Sequence, residues 1–268
     1  MIKNVNRIDL SIIIVTYNSS SLIKKCLEPI FKLDNINYEI IVIDNESKDN
    51  TLDILKEYDK KIKIYVLKNK GYANALNFAS KKAKGEYLLF MNPDIFVEKE
   101  DLNKMLNRIK KDKNIGILAP KLIFPNNKIQ DSCFMFYKFY TPLFRRSILG
   151  KTKFGKKHIG KIFMKSTNKN KELNPDWVLG AVFIMEKRFF EKISGMDPRF
   201  FLYYEDMDIC RRCYLNNKKV LYFPSSKAIH NHIRSSANYK NIMTAFLNKV
   251  TREHIKSYIK YHLKFLGR

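Results

Sequence analysis

Acidic residues are the first shortage of this 268-residue chain: 26 Asp and Glu stand against 51 Lys and Arg, a formal net charge of +25. From Ser132 to Lys171 there is no acid at all. So large an excess points to anionic partners, namely nucleic acid, an acidic membrane surface or phosphorylated substrates. A coding bias toward Lys, Asn and Ile is the alternative source of the charge. Long apolar runs are missing too. The start, "MIKNVNRIDLSIIIVTYN", holds a run too short and too interrupted for a signal peptide. No later segment approaches the ~20 apolar residues of a bilayer crossing. Cysteine is sparse, at Cys26, Cys133, Cys210 and Cys213, and the default is a reducing cytosolic setting with free thiols. Cys210-Arg-Arg-Cys213 has the spacing of a redox or zinc pair, but no second Cys/His pair accompanies it. No helix-turn-helix, zinc finger or RNP-type motif is visible, which sets nucleic acid aside.

What is present describes a globular protein. Hydrophobic residues make up 45% and aromatics 13%, far from a disordered composition, and the length suits one large or two small domains. "LSIIIVTYN" is a β-branched apolar run ending in polar residues, the profile of a buried parallel strand. "SSSLIKKCLEPIFKL" follows as a helix with Ser available as a cap. "YEIIVIDNES", "KIKIYVLKN" and "EYLLFMNPDIFV" repeat the strand pattern, the last broken by Asn92-Pro93-Asp94. Between them "SKDNTLDILKEY" and "GYANALNFASKKAKG" read as helices, with Gly85 expected to cap the second. "KEDLNKMLNRIKKD" is a charged amphipathic helix. Strand and helix alternate over residues 9–112, which predicts a mostly parallel sheet with helices on both faces.

In such sheets the ligand site lies at the carboxyl ends of the strands. Thr16-Tyr17-Asn18, Asp44-Asn45 and Asn92-Pro93-Asp94 all fall there. Carboxylates at strand ends serve metal chelation or acid/base work. Asp94 suits a Mg²⁺ or Mn²⁺ ion whose other ligands come from a diphosphate, or it caps a turn. Asp44 either bonds a base or ribose or caps the next helix. The second half is less regular. Its basic stretch 132–171 reads as mobile or loosely ordered, and "DWVLGAVFIMEKRFFEKI" as a buried strand running into a helix. No repeat or linker forces two independent domains.

"SIIIVTYN", "IVIDNESKDNT", "NKGYANALN", "YLLFMNPD", "WVLGAVFIMEKRFFEKISGMDPRFFLYYEDMDICRR" and "AIHNHIRSS" occur in the order found in inverting family 2 glycosyltransferases. The chain resembles the bacterial rhamnosyltransferase-like branch of that family over roughly residues 9–236. The resemblance implies an α/β fold of the GT-A type, a nucleotide-sugar donor and Mn²⁺ or Mg²⁺. It divides the chain into a catalytic domain over 1–236, with a nucleotide-sugar half (9–112) and an acceptor half (113–236), and a tail over 237–268. It implies that Thr16, Tyr17 and Asn18 line the nucleotide pocket, that Asp44 contacts base or ribose, and that Asn45 lies close by. Gly71 and Asn77 fall in the donor-binding loop, beside Asn92. Asp94 matches the last position of the metal-binding DxD motif, whose first carboxylate is here Asn92. His230, with His232 as rival, matches the downstream metal- or diphosphate-facing histidine. Gly180 and Ala181 let substrate approach the backbone, and Trp177 either borders the acceptor site or sits in the core.

The resemblance also makes "YYEDMD" the source of the base. Inversion needs a group that takes the proton of the attacking hydroxyl; Asp206 is the first choice, Glu205 the reserve, and Asp208 the partner of Arg211, Arg212 or a helix N-terminus. The aromatic run Phe200-Phe201-Leu202-Tyr203-Tyr204 would raise a neighbouring carboxyl pKa. Residues 237–268 read as a basic amphipathic helix, lying on an anionic membrane surface or packed on the protein or a second subunit. The expectation is a metal-dependent glycosyltransferase, monomeric or homodimeric, peripheral to the inner face of the cell membrane. It would extend a bacterial surface glycan (lipopolysaccharide or capsule) or a lipid-linked acceptor. The branch suggests dTDP-rhamnose as donor, with UDP- and GDP-sugars used by relatives. The opposing class is a basic nucleic-acid-binding protein with an α/β core.

Overall fold

The computed structural model describes residues 8–231 and 249–267. Its centre is an eight-stranded sheet. In chain order the strands are β1 (Leu10–Thr16), β2 (Tyr38–Asp44), β3 (Lys63–Val66), β4 (Tyr87–Met91), β5 (Ile95–Phe96), β6 (Ile115–Ile123), β9 (Val182–Glu186) and β10 (Lys219–His230). Two shorter strands, β7 (Cys133–Phe134) and β8 (Trp177–Val178), pair separately. The order across the large sheet is β3-β2-β1-β4-β9-β6-β10-β5. β1 is parallel to β2 and β4, and β6 to β10; β9 runs antiparallel between β4 and β6.

β1 is buried throughout because it carries apolar residues for both faces. Ile13 and Val15 face one core with α3 (Tyr72–Lys82), α7 (Lys187–Lys192) and α8 (Glu205–Leu215). Leu10, Ile12 and Ile14 face the other with α1 (Ile23–Ile30), α2 (Thr51–Lys56) and α4 (Lys99–Lys111). The expected alternation over 9–112 is thus present element by element.

Register brings the polar strand ends together. Thr16 pairs with Asp44, and Ile14 with Met91 immediately before Asn92. An antiparallel strand delivers its beginning to the edge where parallel strands deliver their ends. β9 does so, with Val182 opposite Met91, so residues 177–181 arrive at the same edge. β10 brings His230 opposite Ile95, one residue past Asp94.

Two local expectations are corrected. Gly85 does not cap α3, whose capping residue is Ala83. Its amide donates to Ser11 Oγ at 2.8 Å, and a Cβ there would stand 2.4 Å from the Ser11 backbone nitrogen. Contact with β1 therefore selects the glycine. Nor is the basic stretch loosely ordered: it forms α5 (Thr141–Arg146), a 3₁₀ turn (Ile148–Lys151) and α6 (Lys153–Ile162). Ser147 and Thr152 cap the last two through their side chains, signals overlooked in a stretch dominated by charge.

The final helix, α9 (Lys249–Lys264), packs on the rest of the protein through Ser257, Tyr261 and the Phe265 that follows it, all buried. Packing therefore holds for this part of the tail, while residues 237–248 lie outside the described residues. No described helix is long and apolar enough to cross a membrane. All four cysteines are free and buried, which agrees with the reading of the Cys210/Cys213 pair as structural.

Candidate active site

The end of β1 and the end of β2 are fastened to each other. Thr16 Oγ1 donates to Asp44 Oδ2 at 3.1 Å, and Asp44 also accepts from the Ser47 amide at 3.0 Å and the Ser47 hydroxyl at 2.5 Å. Three of the roughly four acceptor positions of a carboxylate are thereby taken. These bonds close a turn at the end of β2 and do not cap the next helix, whose capping residue is Asn50. Asn18, in the left-handed region at φ 50°, accepts from the Lys48 amide at 2.7 Å. Asn45 donates to Asn69 Oδ1 at 3.0 Å, which also takes the Gly71 amide at 3.1 Å. Tyr17 stays more than half exposed at this rim. Gly71 has φ 98°, and a Cβ there would stand 2.6 Å from the Phe201 carbonyl oxygen. Glycine therefore lets the loop before α3 touch the aromatic run that leads into α8.

Asp94 and His230 meet as their strand pairing requires, with Nε2 3.3 Å from Asp94 Oδ2. His230 Nδ1 lies 2.8 Å from Gln130 Oε1. A carbonyl oxygen only accepts, so with the neutral ring's proton on Nδ1 the Nε2 lone pair faces the carboxylate. Two electron-rich atoms then face each other, an arrangement that a proton or a divalent cation reconciles. Asp94 Oδ1 is buried without a hydrogen-bond partner. Carboxylate oxygen plus imidazole is a donor set that suits Mn²⁺ or Mg²⁺, provided a diphosphate and water complete the shell. Among the described residues no cluster of three or more His, Cys, Asp or Glu forms a ready-made cage.

The acidic cluster opens α8. Glu205, Asp206 and Asp208 all lie in its first turn, where the positive end of the helix dipole favours them. The chain enters the helix through Tyr203 and Tyr204, at φ 68° and 67°. Left-handed backbone at a bulky residue costs of order 1–3 kcal/mol and persists only when the surroundings enforce it. Here the Tyr204 ring is buried, 5.6 Å from Tyr261 and 5.5 Å from His254 of α9. Ser257 donates to the Leu202 carbonyl at 2.9 Å, and Lys260 to that of Arg199 at 2.7 Å. The final helix thus clamps the loop before the acids.

Each acid has a distinct setting. Asp208 is fully buried and pairs with Arg212 at 2.7 Å and Lys264 at 2.5 Å, so it is the structural member, as expected. Asp206 accepts from the amides of Gly180 at 3.1 Å and Met207 at 2.8 Å. Burial nevertheless pushes its carboxyl up, to about 6, against those hydrogen bonds. Glu205 is pushed up by burial and by the charge of Asp206, and its Oε2 lacks a hydrogen-bond partner.

Tyr72, at the start of α3, joins the two halves. Its hydroxyl donates to Asn92 Oδ1 at 2.9 Å. Burial raises its pKa, and the charges of Glu205, Asp94 and Asp206 act on it in the same direction. Asp94 and the α8 acids therefore share one site. Sequence reasoning missed Tyr72, although the quoted "NKGYANALN" contains it. It also missed Gln130, for which the sequence carries no signal.

Two expected residues are engaged by the surrounding protein. Asn77 braces the Met196 backbone with its side-chain amide, at 2.7 and 2.8 Å. Trp177 is the core alternative: it is buried, stacks on Phe134 at 4.5 Å and donates to the Met135 carbonyl at 3.1 Å. Ala181, in contrast, lies at the edge of the site, with its side chain buried and its carbonyl taking the Asn92 backbone amide at 2.8 Å. His232, the rival of His230, lies outside the described residues.

A mostly parallel sheet flanked by helices, with a carboxylate–histidine pair and an acidic helix start at its strand ends, has the architecture of the GT-A fold. A solved mannosyltransferase, PcManGT from Pyrobaculum calidifontis in complex with GDP-Man and Mn²⁺, superposes with a TM-score of 0.62. It is 15% identical and the match covers 97% of this chain and 65% of that one, a likeness of fold alone. The chain belongs to Glycosyl transferase family 2, which it matches over residues 11–221. Rhamnosyltransferase WbbL of Escherichia coli is 27% identical over 258 residues, 93% of this chain and 91% of WbbL. A poly(ribitol-phosphate) beta-glucosyltransferase of Bacillus spizizenii is 34% identical over 165 residues, 54% of this chain but only 26% of that protein. Family membership replaces the opposing expectation of a nucleic-acid-binding protein.

Proposed function

We propose that the protein transfers a sugar, with inversion, from a nucleotide-sugar donor to a hydroxyl of a bacterial surface glycan or of a lipid-linked glycan. The observation that carries this reading is the placement of Asp206: held by two amides, raised to about 6 by burial, and near enough to Tyr72 for its charge, like that of Asp94, to act on that hydroxyl. Asp206 takes the proton of the acceptor hydroxyl as its oxygen bonds the anomeric carbon. The bond from that carbon to the diphosphate breaks, and the nucleoside diphosphate leaves with the electron pair. Asp94 and His230 would hold a divalent cation that neutralises the charge growing on the diphosphate. Thr16, Tyr17, Asn18, Asn45 and Gly71 shape the nucleotide side, Asp44 fastens its floor, and Gly180 borders the acceptor side.

WbbL, matched over nearly its whole length, supports a deoxyhexose such as rhamnose on dTDP. The same reading puts the protein at the cytoplasmic face of the cell membrane, where lipid-linked acceptors are presented. A thermal-shift panel of dTDP-rhamnose, UDP-glucose and GDP-mannose, with and without Mn²⁺, tests class, donor and metal together. One donor should raise Tm, and more so with Mn²⁺. The reading is wrong if none does at millimolar concentration.

A further inference from the structure

The helical insert between β7 and β8 has a surface that the site does not use. Leu143, Ile148, Leu149 and Phe154 are 59, 81, 51 and 66% exposed. A single exposed leucine is ordinary, but a concentration of large apolar side chains within 12 residues marks a contact surface. Around them Lys151, Lys153, Lys156 and Lys157 are also exposed, within the acid-free stretch.

The insert is joined to the catalytic loop. Phe139 stacks on Tyr258 of α9 at 5.8 Å, and Arg145 donates to Tyr137 Oη at 2.8 Å. Between insert and α9 lies a cavity of about 200 Å³, lined among others by Tyr137, Arg145, Tyr204 and Tyr258. Tyr204 immediately precedes the α8 acids, and the negative charge of Asp206 acts on Tyr137.

We propose that the insert docks on an anionic lipid bilayer, with its aliphatic side chains among the acyl chains and its lysines among the headgroups. Charge complementarity selects this occupant. A second copy would bring one acid-free cationic face against another. Nucleic acid would satisfy the lysines and leave Leu143, Ile148 and Leu149 without apolar contact. Docked in this way, the cavity opens beside the membrane, and the acceptor reaches Asp206 without leaving the lipid surface. The inference rests on the membrane-facing reading above, yet its test uses no turnover, so the two fail separately.

The test is sedimentation of the full chain with vesicles of phosphatidylcholine, alone or mixed with phosphatidylglycerol. Wild type should pellet with the mixed vesicles and less at high salt. The double variants Leu143→Glu/Ile148→Glu and Lys156→Glu/Lys157→Glu should each lose roughly tenfold or more in partitioning. Both should keep the wild-type Tm and donor-induced shift, which shows that they fold. The proposal is overturned if wild type ignores phosphatidylglycerol or if both folded variants pellet like wild type. It is equally overturned if the apolar variant merely turns a dimer into a monomer, or if the basic face binds single-stranded RNA and no vesicle.

Discussion

The backbone N–H of Gly180 points at Asp206 Oδ2 from 3.1 Å, and a Cβ on residue 180 would stand 2.9 Å from the Asp206 Cβ. The turn before β9 and the start of α8 touch here with no room for a methyl group. Gly180→Ala should displace the carboxylate and lower kcat roughly a hundredfold while leaving donor affinity unchanged. Steady-state kinetics with isothermal titration of the donor separates the two; a parallel loss of affinity would refute this account of Gly180.

With Asp206 as the proposed base, its raised pKa should set the acid limb of activity. A base works only when deprotonated, so kcat/KM should fall as pH drops through about 6 rather than through the ordinary carboxylate range near ~4. Asp206→Asn should reduce turnover by a factor on the order of 10²–10⁴ and abolish that limb. Retention of the limb in Asp206→Asn would transfer the role to Glu205.

Metal binding should depend on the orientation of His230. Asp94→Ala should remove the Mn²⁺ dependence of donor binding. Gln130→Ala frees the imidazole ring and should weaken Mn²⁺ roughly 10–100-fold. Donor titrations at several Mn²⁺ concentrations read both effects. Equal affinities in wild type and Asp94→Ala would dismiss the metal role.

Lys264 bridges Asp208 at 2.5 Å and Asp197 at 2.7 Å. Burial raises the Asp197 carboxyl, but hydrogen bonds from Arg199 and Lys264 outweigh it and hold the group well below its usual range. A depressed folded-state pKa contributes stability above the unfolded value and loses it as pH falls. Lys264→Met should therefore lower Tm at pH 7 by an amount equivalent to about 1–3 kcal/mol. It should also flatten the acid-side decline between about pH 4 and pH 2. Unfolding curves across that range decide; an unaltered profile would mean that Lys264 is dispensable.

The nucleotide half was largely readable from the chain. Buried parallel strands have apolar runs, their ends are polar, and local periodicity needs no knowledge of partners. The acidic cluster was readable for the same local reason. The contacts of Asn77, Trp177 and Ala181 were not, because Met196, Phe134 and Asn92 are distant in sequence and adjacent only in the fold. Tyr72 and Gln130 are invisible for the converse reason: nothing beside them signals the carboxylates or the histidine they meet. In α9, hydrophobic spacing correctly gave a helix, but a mixed polar-apolar pattern does not say which face a protein covers. The covered face turned out to be Ser257, Tyr261 and Phe265.

The clamp of α9 on Tyr203 and Tyr204 has a bearing on biosynthesis. Domains emerge from the ribosome from the N-terminus, at about 5–20 residues per second. The strand ends that shape the nucleotide side are complete once residue 94 is out. The two left-handed tyrosines gain their enforcing partners only when residues 254–264 follow. We therefore expect a nascent chain to acquire sugar-nucleotide recognition before it can turn over, with chemistry delayed until residues 254–264 have emerged. Chains halted at residue 248 on the ribosome should retain donor and transfer nothing; measurable transfer from them would show that the loop holds its shape unaided.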